Sequence, residues 1–210
     1  IKIKELIKIY ENNANNIFPN NNFIFNNFIS PVFGIDKYSN KTIQNISNTY
    51  FENKTLSDLK NLVCIPSYNN NNGSNIVFKY PHKEGKLFRD KNILLKDVIM
   101  ATTSAPYFFP SHNINMDMIS GNFLDGGIWA NNPSMIGIDE SLQFFVGKDK
   151  KYKSFDMLSI GNINFNKNNN ITKNSWNILN LNYLIEIIFS SNSNSIDKYC
   201  RTISKYTNSE

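Results

Sequence analysis

The sequence predicts an α/β layered fold, because stretches with helical spacing of apolar residues alternate with short apolar strands. The chain has 210 residues, of which 40% are hydrophobic and 13% aromatic, so it can bury one sizeable core. We therefore expect one domain over residues 1–206 and a short tail at 207–210. The sequence opens inside a helical pattern, without a Met or an N-cap residue, and we expect a longer reading frame upstream.

Six stretches carry apolar residues at helical spacing and predict the helices. They cover residues 1–17, 38–51, about 93 up to Pro106, 133–145, 176–189 and 195–206. Prolines at 106 and 110 prevent the third helix from continuing, and Asn132 followed by Pro133 is a typical helix start. The polar stretch at 190–194 is weak evidence for a linker between the last two helices.

Short apolar runs predict the strands. The run at 62–65 and the alternating segment NIVFKY predict two strands joined by an Asn-rich loop. Residues 123–124 predict a strand that leads directly into an Asp-Gly-Gly turn. The segment SFDMLSIG predicts a short buried strand that ends at Gly161, before a loop rich in Asn and Lys at 162–175.

Asp125 is the candidate catalytic carboxylate. The two residues that follow it, Gly126 and Gly127, allow a positive φ and a close backbone approach, and would hold the carboxylate on a sharp turn at the end of a strand. In open α/β sheets, that edge is where functional sites form. Asp-Gly-Gly also makes ordinary structural turns, so the tripeptide alone does not decide between the two roles.

The context of this turn resembles the patatin-like phospholipase family. The resemblance rests on an ordered set of motifs at suitable spacing, namely ATTSAPYFFP, FLDGG, ANNP and MLSIG. Three earlier segments look like the middle portion of the family: the helix and IF pair of residues 1–18, KYSNKTIQNISNTYF, and LSDLKNLVCIPSY. Together these segments cover most of the chain up to about Gly161.

The resemblance implies a three-layer α/β/α patatin-like fold and a phospholipase A-like lipid acyl hydrolase that uses a Ser-Asp dyad. Asp125 matches the family's aspartate, the proton acceptor for a serine on a G-x-S-x-G elbow, and Gly126 and Gly127 complete the motif. The expected partner is a lipid or phospholipid substrate, and no cofactor, metal or nucleic acid is implied.

The family pattern is incomplete in this chain. No serine has Gly at both the second preceding and the second following position, and the Gly-rich oxyanion segment is also missing. We expect the N-terminal strands, that segment and the nucleophile elbow upstream of Ile1. We therefore expect these 210 residues alone to be inactive, and to be poorly soluble because an apolar sheet edge is exposed.

Two serines inside the chain are alternative nucleophiles. Ser159 has Gly161 as half of an elbow, but an Asn-rich stretch follows where the elbow needs a helix, which favours a core strand. Ser104 lies beside Ala105 and Pro106, and this context favours a structural role, as a small residue at a helix end that packs near the Asp125 turn.

Histidines and further carboxylates offer other chemistry. His82 or His112 would complete a Ser-His-Asp arrangement, but both lie in polar, turn-like segments that favour the surface. Asp117 or Asp139 would pair with Asp125 as an acid pair or metal site. Neither has a partner at ligand spacing, so surface or capping positions are favoured.

Composition excludes several classes of protein. The net charge is +5, but the lysines are scattered, so no nucleic-acid interface is indicated. Cys64 and Cys200 are isolated, which favours unpaired thiols in a reducing compartment. No apolar run reaches the roughly 18 to 20 residues of a membrane span. The sequence therefore predicts a cytoplasmic or peripheral membrane protein without a signal peptide.

Three hypotheses for function follow. The first is a lipid acyl hydrolase whose active site is completed by an upstream segment. The second is a non-catalytic lipid-surface or partner-binding module that kept the fold and lost the nucleophile. The third, a nucleic-acid binder, requires strongly salt-dependent binding.

Overall fold

The computed structural model describes residues 1–19, 36–80, 88–161 and 181–207. These residues form two compact units, Ile1–Trp129 and Ala130–Glu210. Helices combined with a β-sheet confirm the predicted α/β class. The single domain over residues 1–206 stays a prediction.

The first unit combines helices with a four-stranded sheet. Its helices are α1 (Ile3–Ile17), α2 (Lys41–Phe51) and α3 (Leu95–Thr102). Its strands are β1 (Ile65–Asn69), β2 (Ser74–Phe78), β3 (His112–Met116) and β4 (Ile119–Asp125). A short helix, α4 (Gly127–Ala130), follows β4 directly.

The sheet has the strand order β2-β1-β4-β3, and every neighbouring pair is antiparallel. Two hairpins, β1 with β2 and β3 with β4, meet where β1 pairs with β4 in a register that places Ser67 opposite Asp125. The predicted strand at 62–65 begins three residues later, at Ile65. The chain between the hairpins contains α3, which packs on β1, β3 and β4.

The core of this unit lies between α3 and the sheet. Val98 and Ala101 are fully buried on α3, and the rings of Phe78 and Phe123 lie 5.6 Å apart on the facing strands. Full burial of one such side chain stabilises the fold by about 1.5–3 kcal/mol. Because α3 and β4 share this core, the end of α3 and the end of β4 are held side by side.

Helix α1 has the predicted amphipathic pattern, but the side chains of its apolar stripe are largely exposed to solvent. Ile3 is 78% exposed and Tyr10 is 67% exposed, whereas Ile9 is the buried residue of the helix. The helix packs against α2.

The second unit contains α5 (Ser134–Phe144) and α6 (Leu181–Thr207). The predicted N-cap at Asn132 is wrong by one residue, because Pro133 is the N-cap and the helix begins at Ser134. Asn132 Oδ1 accepts the N–H of Ser134 at 3.1 Å, in the turn that leads into the helix. The predicted linker at 190–194 is wrong, because α6 runs through it without a break. Within the described ranges, no helix combines the length and apolar character that a membrane span needs.

The Ser and Asn residues at 190–194 misled the linker prediction because such residues compete with helical hydrogen bonds. In this helix, hydrogen bonds from Asn131 satisfy groups in and beside this stretch. Asn131 Nδ2 donates to the carbonyl of Phe189 and to Ser193 Oγ, at 3.2 and 2.8 Å. Ser190 Oγ donates back to the carbonyl of Ile187.

The predicted buried strand at SFDMLSIG is also wrong. Residues 154–161 form neither helix nor strand, and Leu158 and Ile160 are 83% and 85% exposed. A strand needs a neighbour to accept and donate its backbone hydrogen bonds, and none of the described strands pairs with this segment. Ser159 is therefore exposed, with its Oγ 3.0 Å from Ser134 Oγ.

Candidate active site

Asp125 is the last residue of β4 and lies just before the start of α4. Its backbone N–H donates to the carbonyl of Ser104, just beyond α3, at 2.9 Å, and it lies opposite Ser67 of β1. The strand end is therefore fixed from two sides, by β1 and by the segment that leaves α3.

The Asp125 carboxylate accepts a single hydrogen bond from the described residues. The donor is the backbone N–H of Gly127, 2.6 Å from Oδ1, which closes an Asx-type turn at the start of α4. Burial raises the pKa of Asp125 above its ordinary value of 3.8, and the Gly127 hydrogen bond opposes part of that rise. An acid in this state is a better proton acceptor than an exposed aspartate.

Gly126 is required by close packing and not by a positive φ. Positive φ occurs at Gly73, Gly121 and Gly147, so the expectation of a positive φ in the Asp-Gly-Gly turn is wrong. A Cβ at position 126 would overlap the backbone carbonyl of Pro66 in β1. The predicted close backbone approach is therefore present, and only glycine permits it.

Three side-chain hydrogen bonds connect β1 to the elements beside this turn. Thr102 Oγ1, at the end of α3, donates to the Pro66 carbonyl at 2.7 Å. Trp129 Nε1 in α4 donates to the Ser67 carbonyl at 2.9 Å. Ser67 Oγ donates in turn to the Leu124 carbonyl at 2.8 Å.

The polar residues of this network were missed by the sequence reasoning, which treated the β1 region as an apolar run. A usable signal was present, because Ser67 stands within IPSY. A small hydroxyl residue in a strand that is otherwise largely apolar needs a buried acceptor.

Tyr107 is a strained residue in the turn that follows α3. Its φ is 74°, a backbone conformation that residues other than glycine rarely adopt. Such a conformation costs on the order of 1–3 kcal/mol. The N–H of Lys37 donates to the Tyr107 carbonyl at 2.9 Å, and the Lys37 ammonium lies 5.8 Å from the centre of the ring. These contacts help to hold the turn in place.

Ser104 has the predicted position of a small residue packed near the Asp125 turn. It is 1% exposed, and its Oγ donates to the carbonyl of Met100 at 2.7 Å. Its hydroxyl is therefore engaged inside the protein. Ser159 lies in the second unit, on the exposed segment described above.

His112 is not the turn residue that the sequence suggested. It begins β3, its side chain is 18% exposed, and its Nε2 lies 3.0 Å from Oδ1 of Asp97 on α3. This pair connects α3 to the sheet and does not include Asp125. His82 lies outside the described residues.

Asp117 and Asp139 are exposed, as predicted. Asp139 accepts a hydrogen bond from Gln143 one turn later on α5. Within the described ranges, no group of three or more His, Cys, Asp or Glu side chains is arranged to hold a metal ion.

Comparison with known proteins identifies one family. The sequence model of the family described as patatin-like phospholipase matches residues 2–138, which include the entire Asp125 turn.

Curated relatives have related names. The chain is 34% identical to the cGAMP-activated phospholipase of Vibrio cholerae over 65% of its length, and 31% identical to that of Escherichia coli over 76%. It is 28% identical to patatin-like protein 2 of Oryza sativa subsp. indica over 75% of its length. The matched parts are 39%, 44% and 43% of those proteins, so the chain spans less than half the length of each.

Proposed function

Since this chain belongs to the patatin-like phospholipase family, we propose that it supplies the proton acceptor of a serine-dependent lipid acyl hydrolase, and that this acceptor is Asp125. The observation that carries the proposal is a partly buried carboxylate, desolvated enough to raise its pKa, which accepts one hydrogen bond from the described residues and stands at a strand end. A buried acid without a charged partner is costly, and such groups concentrate at functional sites.

The proposed reaction is acyl transfer to a serine that lies outside these 210 residues. The Asp125 carboxylate accepts the proton of the serine hydroxyl as the serine oxygen attacks the ester carbonyl carbon. When the tetrahedral intermediate collapses, the leaving alcohol takes that proton from Asp125 and an acyl-enzyme remains. Water then attacks the acyl-enzyme, Asp125 accepts its proton, and the fatty acid leaves as the serine is reprotonated.

The substrate class is an ester of a fatty acid, most directly a phospholipid. This part of the proposal is supported by the family and by relatives whose names contain the word phospholipase. We propose further that the protein reaches this substrate by peripheral contact with a lipid surface.

The test is hydrolysis of a p-nitrophenyl ester by two polypeptides, residues 1–210 alone and the longer product of the same reading frame. We expect no turnover by residues 1–210 and measurable turnover by the longer product. In the latter, Asp125→Asn should lower kcat by about 10²- to 10⁴-fold, the usual contribution of a general base. Asp139→Asn, an exposed carboxylate on α5, is the control and should leave kcat unchanged.

Turnover by residues 1–210, or full activity in the Asp125→Asn variant, would contradict the proposal. The second candidate is the non-catalytic lipid-surface module, which is favoured by the exposed apolar stripe of α1 and by Lys4 and Lys8 on that helix. An inactive longer product that sediments with phosphatidylglycerol vesicles would replace the hydrolase proposal by this one.

A further inference from the structure

We propose that Ser67 and Trp129 are positioning residues that hold the Asp125 carboxylate in place for proton transfer. This inference rests on the proposed function, because it concerns the same carboxylate. Neither residue touches the reacting atoms in the proposal. Both act through the carboxylate turn, which we define as residues Asp125 to Gly127.

Ser67 binds the chain on both sides of the carboxylate turn. Before the turn, its Oγ donates to the Leu124 carbonyl at 2.8 Å. After the turn, its own carbonyl accepts the indole N–H of Trp129 at 2.9 Å. Ser67 is fully buried, so water does not compete for these bonds.

The pairing of β1 with β4 ends at Ser67 and Asp125. Asp125 lies opposite Ser67 in register, yet its N–H donates to the carbonyl of Ser104. The Ser67 carbonyl receives a side chain, Trp129, at this level of the sheet. Side-chain hydrogen bonds therefore take over where the ladder ends, and they fix the turn that follows.

Pro66 of β1 limits movement of the carboxylate turn toward β1. Its carbonyl is held by Thr102 Oγ1 at 2.7 Å, and Gly126 packs so closely against it that a Cβ would overlap. The turn thus rests on two consecutive β1 residues, each with a carbonyl bound by a side chain. Rigid support of this kind keeps a catalytic group within the small error that efficient proton transfer tolerates.

Two conservative variants test the inference in the longer product of the reading frame. Trp129→Phe keeps an aromatic ring and removes the N–H, and Ser67→Ala removes the hydroxyl. Each should lower kcat by roughly 10- to 100-fold, as expected for a small misplacement of a catalytic group, with KM changed less than about twofold. The acid limb of the pH profile should move to lower pH, because a looser turn admits water to the carboxylate.

A destabilised control separates positioning from general loss of structure. Asp90 is buried beside β2, where it pairs with Arg89 and accepts the N–H of Lys79 at 2.9 Å. Asp90→Asn weakens this side of the sheet and should leave both kcat per folded molecule and the pH profile unchanged. Ser67→Ala and Trp129→Phe variants that lose stability but keep the wild-type kcat and acid limb would overturn the inference. A change in KM alone would overturn it as well.

A titration that needs no activity distinguishes this inference from the proposed function. Carbon-13 NMR follows the Asp125 carboxylate directly, with Asp125→Asn used to assign its resonance. A lower midpoint in Trp129→Phe and Ser67→Ala, in a protein without hydrolase activity, would sustain the positioning role and reject the proposed function. An unchanged midpoint in both variants would reject the positioning role, whatever the activity.

Discussion

Asp90 and Asp125 are two carboxylates of the same unit with opposite surroundings. Asp90 is 2% exposed and accepts hydrogen bonds from Arg89 Nε, from Arg89 Nη2 at 2.7 Å and from the N–H of Lys79 at 2.9 Å. From the residues that the structure describes, Asp125 accepts one hydrogen bond, which the N–H of Gly127 donates. The difference shows which buried acid is satisfied by the fold and which still has capacity for a donor.

Asp90 has a structural role at the edge of the sheet. Arg89 Nη2 also donates to the Val77 carbonyl at 2.8 Å, so this ion pair binds the outer side of β2, an edge strand. Side chains that occupy an edge strand's backbone groups oppose pairing with other chains. This ion pair occupies one backbone carbonyl of β2, and the expected exposed apolar edge stays a prediction.

The largest change in stability is expected for Asp90→Asn. The variant removes the charge that faces Arg89 and weakens the bonds that close the edge of β2. Because Arg89 is partly exposed, we expect the lower end of the range for a broken buried pair, a loss of about 3 kcal/mol in the free energy of unfolding. Urea denaturation measures the loss. A loss below about 0.5 kcal/mol, the range of ordinary surface substitutions, would contradict the structural role.

A smaller loss is expected for Gly126→Ala. The added methyl group overlaps the Pro66 carbonyl, so β1 and the carboxylate turn must separate, at a cost of roughly 1–3 kcal/mol. Gly137→Ala is the matched control, because a Cβ at this position in α5 meets nothing within 4 Å. The control should gain about 0.5–1 kcal/mol from higher helix propensity. Equal stability changes in the two variants would show that the close approach at Gly126 is absent.

The sequence was most informative where a motif depends on neighbouring residues. Asp125 lies at a strand end and Gly126 packs closely, both as the local turn motif predicted. The start of α5 was predicted to within one residue for the same reason. Ser104 was also placed near Asp125, which needed the family resemblance as well as the local pattern.

The sequence was least informative where burial depends on a distant partner. The apolar residues Leu158 and Ile160 resemble a core strand, yet no described strand pairs with them. The bonds of Ser67 to residues 124 and 129 come from strand register, which no local pattern encodes. The contrast between Asp90 and Asp125 arises in the same way, because their partners are set by tertiary contacts.

The contrast predicts an unusual pH dependence for Asp125. Its folded pKa is raised by burial, so ionisation costs the folded state more than the unfolded state. The contribution of Asp125 to stability is therefore most favourable below its ordinary pKa of 3.8, and it declines as pH rises through the raised pKa. Asp125→Asn removes this decline. The variant should be more stable than the wild type at pH 7, and the advantage should disappear near pH 3.

The most direct test is the carbon-13 NMR titration of the Asp125 carboxylate in the wild-type protein. We expect a midpoint above 3.8, in keeping with a partly buried acid that accepts a single hydrogen bond from the described residues. A midpoint at or below 3.8 would show that the carboxylate is well solvated or paired with a cation, and would contradict its role as the proton acceptor.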